Sequence, residues 1–144
     1  MFLSNGWLLF ALLAAVFAAL TSILAKIGIV GVDSNLATAI RTGVVMIFSW
    51  GIVIAQGTSK NLTNLSKTTW IFLILSGLAT GLSWLFYFRA LQIGEASKVV
   101  PIDKLSLVLT IVMASIFLHE KMTIPTVVGS ILITLGVLVI SMWK

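Results

Sequence analysis

Five runs of mostly apolar residues alternate with short polar stretches along the chain. Each run approaches or passes the roughly 20 residues that a helix needs to cross about 30 Å of hydrocarbon. The first runs from about Trp7 to Ala25 and holds no charge. The second, from about Leu36 to Ala55, contains Arg41, and the third, from about Trp70 to Ile93, contains Arg89. The fourth, from about Ser97 to Leu118, contains Asp103 and Lys104, and the fifth runs from about Ile124 to Trp143. This pattern predicts an all-α, multi-pass membrane protein of five transmembrane helices, forming one domain over residues 1–144.

The polar stretches carry helix punctuation. Gly28 and Gly31 end the first span, and Asp33, Ser34 and Asn35 offer caps for the second. Gly94 suits the C-cap of the third span and Ser97 the N-cap of the fourth, while Thr123 with Pro125 opens the fifth. Trp7 and Trp70 are expected at one membrane surface and Trp143 at the other. The first span lacks Lys or Arg before it and exceeds the length of a signal peptide's apolar region, so it is expected to be retained.

Composition sharpens this picture. Of 144 residues, 60% are hydrophobic and 9% charged, and the mean hydropathy is +1.19. Soluble domains carry about 25% charged residues, and one this small could not hide so much apolar surface. A soluble enzyme, a disordered tail and a disulfide scaffold are therefore excluded. No cysteine is present, hence no thiol nucleophile. The net charge is +5, but the nine Lys and Arg are scattered between apolar runs rather than clustered. Nucleic acid is not expected as a partner; the lipid bilayer is.

The flanking charges leave orientation open. Lys60, Lys67 and Lys121 fall on the N-terminal side, and Lys26, Lys98 and Lys144 on the other. Cytoplasmic loops should carry a Lys/Arg excess, and three against three is none. The embedded Arg41, Arg89 and Lys104, nearer the second side, tilt the balance mildly. A chain without bias can insert both ways, and two opposed copies form an inverted pair; one fixed orientation is the alternative.

Ionisable groups inside spans are costly and mark candidate function. Arg41, Arg89, Asp103 and Lys104 each lie roughly 5–10 Å below one surface, at about 1.5 Å per residue. Asp103 should pair with Arg41, Arg89 or a lysine, because an unpaired buried charge is too expensive. The four form either a structural ion-pair layer or a substrate gate. Trp84, Phe86, Tyr87 and Phe88 form an aromatic run whose faces suit an organic cation or flat ligand, or simple packing. The Tyr87 hydroxyl needs a partner at that depth. Gly77 with Gly81, and Gly129 with Gly136, permit close helix packing. Pro101 is a hinge candidate beside Asp103, or a tolerated first-turn proline. A lone histidine, His119, makes no metal site, and neither metal nor cofactor is expected.

Two stretches carry a specific resemblance. One runs from Ala25-Lys26-Ile27-Gly28 through Asp33-Ser34-Asn35-Leu36 to Arg41-Thr42. The other runs from Phe88-Arg89-Ala90-Leu91 through Gly94-Glu95-Ala96-Ser97-Lys98-Val99-Val100-Pro101 to Leu118-His119-Glu120-Lys121-Met122-Thr123. Together they resemble the EamA domain of the drug/metabolite transporter superfamily, and more narrowly its short members with one five-helix unit. The resemblance implies one half of an inverted-repeat, ten-helix transporter. It implies a membrane transporter of small metabolites or drug-like molecules in the cell (inner) membrane, working by alternating access as an antiparallel, dual-topology homodimer. The alternative is a non-transporting membrane subunit that needs a different partner chain. The distantly similar small multidrug transporters use a glutamate in their first helix, which this chain lacks. An enzyme is not expected, with one histidine and one embedded aspartate. Three embedded cations lean towards an anionic or zwitterionic ligand and the aromatic run towards a cationic one, and both stay open.

Overall fold

The computed structural model describes residues 6–142. Helix α1 spans Gly6–Gly28, α2 Ser34–Ala55 and α3 Lys67–Ile93, with a 3₁₀ segment over Thr58–Asn64. The fourth span is two helices, α4 over Ala96–Asp103 and α5 over Leu105–Phe117, and α6 covers Ile124–Met142. Five spans are long and apolar enough to cross a membrane, and the described residues hold no strand. The protein is all-α and multi-pass. Trp143 and Lys144, read as a surface anchor and a flanking charge, lie outside the described residues.

The helix ends follow from single side chains. Gly31 takes a left-handed φ of +74°, which turns the chain out of α1 at no Cβ cost. Asp33 then caps α2, its Oδ1 accepting from the backbone N–H of Asn35 at 2.9 Å and of Leu36 at 3.1 Å. Helix α3 starts at Lys67, three residues ahead of the expected Trp70, with Ser66 Oγ before it accepting from Thr69 N–H at 3.1 Å. Thr123 opens α6, accepting from Thr126 N–H at 3.4 Å, with Pro125 in the first turn. Glu95 rather than Ser97 is the N-cap residue of α4. Glu95 pairs with Lys98 one turn on, at 3.3 Å.

Seven hydroxyls inside the spans are satisfied within their own helix. Ser22, Thr38, Thr42, Thr80, Thr110, Ser130 and Thr134 each donate to the carbonyl four residues back, at 2.8–2.9 Å. Hydrocarbon offers no partner of its own, so this back-bonding removes an otherwise costly donor.

The chain divides into two compact units, Leu24–Gln92 and a second made of Met1–Ile23 with Ile93–Lys144. In the first, Ile29, Ser34, Thr38, Phe88 and Leu91 are buried. Ser34, Thr38 and Arg41 recur at helical spacing along α2, as Trp84, Phe88 and Leu91 do along α3, so each set shares one face. In the second unit, α4 and α5 both pack on α6, where Ser130 and Val137 are buried. An apolar groove of about 220 Å³ runs between α5 and α6, past Val108, Ile111 and Leu135. Most other apolar side chains face outward, Phe72 at 67% and Ile124 at 82% exposure among them. In water such a surface would drive collapse or association; against lipid it is the solvated face.

Candidate functional site

Four of the residues singled out from the sequence, Arg41, Trp84, Tyr87 and Arg89, lie in the unit formed by residues 24–92. Arg41 sits about two turns into α2, on the face that carries Ser34 and Thr38. From there its guanidinium reaches α3, 4.2 Å from the Trp84 ring centroid and 5.3 Å from that of Phe88. A guanidinium within about 6 Å of a ring face is held by the ring's quadrupole, most strongly where water is scarce. Phe88 is buried, and Tyr87 meets it edge-on at 6.2 Å and 69°. The aromatic run thus divides by face: Trp84 and Phe88 hold Arg41, whereas Phe86 is exposed.

Arg89 is exposed and its Nη1 donates to Gln92 Oε1 at 2.7 Å. Gln92 in turn donates from Nε2 to the Val32 carbonyl at 2.8 Å. One side chain therefore ties the turn before α2 to the end of α3 while orienting Arg89. Lys26 makes a similar tie, its Nζ donating to the Leu91 carbonyl at 2.6 Å. That carbonyl lies in the last turn of α3, where no intrahelical N–H remains to meet it. Between the start of α2 and the side of α3 an open cleft of about 490 Å³ has Asp33, Asn35 and Arg89 at its polar edge. Leu82, Leu85 and Phe86 form its apolar wall.

Asp103, Lys104 and Pro101 belong to the other unit. Asp103 pairs with the adjacent Lys104, Oδ2 to Nζ at 3.4 Å, and both side chains are partly exposed. The break in the fourth span falls at Lys104, three residues past Pro101. There the backbone N–H turns to the Pro101 carbonyl at 3.0 Å as well as to Val100 at 3.3 Å, a tightening towards 3₁₀ geometry. Pro101 itself supplies no N–H to the Ser97 carbonyl one turn earlier. His119 ends α5 in the left-handed region at φ +54°, and the Glu120 N–H closes on the Ala114 carbonyl at 3.3 Å. Glu120, part of the family resemblance, thus serves a helix end through its backbone. At Gly77, Gly81, Gly129 and Gly136 a side-chain carbon would meet nothing within 4 Å.

Sequence reasoning passed over Gln92 and read Lys26 only as a flanking charge. Gln92 had a signal, since an amide three residues after an arginine faces it on a helix. Lys26 had the weaker one of a cation in a last helical turn.

The sequence profile of the EamA-like transporter family matches residues 5–142. The chain belongs to that family. A Sinorhizobium protein named as an uncharacterised transporter in the cobO 3′ region is 43% identical over 141 residues, 98% of this chain and 100% of its own length. An uncharacterised transporter of Bacillus subtilis is 36% identical over 69 residues, 48% of this chain but 23% of that protein, which is therefore about twice as long. An uncharacterised protein of Methanocaldococcus jannaschii is 29% identical over 82 residues, 57% of this chain and 60% of its own. No solved structure matches. This EamA-like chain is a multi-pass membrane protein of a transporter family.

Proposed function

We propose that this EamA-like chain is one half of a transporter, and that two copies in opposite orientation form the working unit in the cell membrane. The observation that carries the reading is the odd number of spans. Five helices leave the two ends of the unit on opposite sides of a bilayer, and inverted halves around a shared central site are a recurrent transporter architecture. A relative of matching length bears a transporter's name, and a Bacillus relative is about twice as long. Both fit a five-helix unit that is used in pairs. The open small-residue positions at Gly77, Gly81, Gly129 and Gly136 leave room for close approach by helices of a second copy.

In this reading small metabolites or drug-like molecules pass between the opposed copies by alternating access. Arg41, Trp84, Tyr87, Arg89, Asp103 and Lys104 are the candidate path or gate residues. The break beside Pro101 lets α4 tilt against α5. The test is flux through proteoliposomes that hold the purified chain alone. Substrate-dependent flux is expected. Flux that appears only when a different chain is reconstituted with it would move the protein to the role of a subunit.

A further inference from the structure

We infer that Arg41, stacked on Trp84 and Phe88, is the anchor for the oxyanion of an organic acid, a carboxylate or phosphate. This names the substrate class of the proposed transporter and rests on that reading. It starts from how Arg41 is held. A guanidinium has two faces and an edge of five N–H donors. The rings at 4.2 Å and 5.3 Å hold it through the cation–π attraction, which asks nothing of those donors. Stacking is thereby satisfied, while among the described residues no hydrogen bond or ion pair engages the guanidinium edge.

Residues 24–92 contain one carboxylate, Asp33, and its Oδ1 is engaged by the N–H groups of Asn35 and Leu36 at the start of α2. The hydroxyls nearest Arg41 along α2 are also spent, Thr38 on the Ser34 carbonyl and Thr42 on the Thr38 carbonyl. Arg41 is half-buried inside a membrane span, where an arginine without a counter-charge is expensive. The planar fork of its N–H edge matches a carboxylate or phosphate in bidentate fashion. Trp84 and Phe88 fix the plane of that fork before a ligand arrives.

The same geometry decides between the two ligand charges that the sequence leaves open. An aromatic pair can hold an organic cation only if its ring faces are vacant. Here Arg41 already takes one face of each ring, and a cation brought to the same pair would meet its like charge at close range. The aromatic run is therefore a support for the protein's own cation, and the arginine it supports asks for an anion.

The test is binding in detergent of three probes with one apolar body: 2-naphthoate, 2-naphthamide and 2-naphthylmethylammonium. The carboxylate is expected to bind about tenfold or more tightly than the amide, and the ammonium least. Arg41→Gln should abolish the preference. Should that variant fail to fold, Arg41→Lys keeps the charge but loses fork and stacking, and should weaken naphthoate binding with little change in amide binding. Naphthoate binding no tighter than the amide, undetectable binding of all three, or a preference that survives both substitutions overturns the inference. A phosphatidylglycerol requirement for stability that Arg41→Gln removes, with no effect of naphthoate, assigns the arginine to lipid and overturns it as well. Binding and flux are read separately. Naphthoate binding without flux defeats the transport reading alone, and flux of the ammonium probe in preference to naphthoate defeats this inference alone.

Discussion

Arg41, Arg89 and Asp103 show three ways for a charge to exist inside an apolar helix. Arg41 stacks on rings, Arg89 leans on an amide, and Asp103 finds a cation one residue away. The last is the weakest arrangement, because adjacent helical positions do not face each other and both side chains are partly exposed. Partly exposed pairs contribute about 0–1 kcal/mol. Asp103→Asn should therefore shift the unfolding temperature in detergent by a few degrees at most. Its liposome flux is expected to fall about tenfold or more if the carboxylate serves the path, equivalent to about 1.4 kcal/mol of barrier. Wild-type flux in this variant would remove Asp103 from the path.

Among the elements, the fourth span departs most from a plain helix. Apolar periodicity gives its length, since a window of this kind counts side chains and is blind to a missing N–H. The interruption at Lys104 comes from the backbone, one tightened turn past a proline. Pro101→Ala would restore the donor to the Ser97 carbonyl and smooth the junction of α4 with α5. The variant should unfold at a higher temperature and carry flux more slowly, because a stiffer span tilts less readily. A variant that transports at the wild-type rate would show that the break plays no part in turnover. Caps were legible where one short polar side chain stands before an apolar run, as at Asp33 and Thr123. The cap of α4 was misplaced, at Ser97 instead of Glu95, and none was read at Ser66, because neighbouring polar residues compete in both stretches. The charged candidates were legible because hydrocarbon makes any embedded charge conspicuous. Their partners were legible only in part: a lysine was among those expected for Asp103, and the spacing of Gln92 from Arg89 held a signal that was passed over, but nothing in the spacing marks Trp84 and Phe88 as the rings that hold Arg41.

For the whole molecule, the flanking cations balance, so a reporter fused after the fifth span should be found on both sides of the membrane. Two lysines added within the 3₁₀ segment at Thr58–Asn64 should hold that segment in the cytoplasm and trap one orientation. Flux should vanish in the trapped form and return when the oppositely trapped form is co-expressed. Full activity from a single trapped form would mean that opposed copies are not needed. The back-bonded hydroxyls bear on how such a pair would move. Each serine or threonine that spends its proton on its own helix leaves that helix free to rotate or slide without baring a donor to lipid. A hydroxyl spent in this way adds no donor of its own to the friction between spans. The firm catches within residues 24–92 are of another kind: the Lys26 ammonium on the Leu91 carbonyl and the Gln92 amide on the Val32 carbonyl both lie at the end of α3. Any rocking of α3 against the start of α2 would therefore pivot about that end.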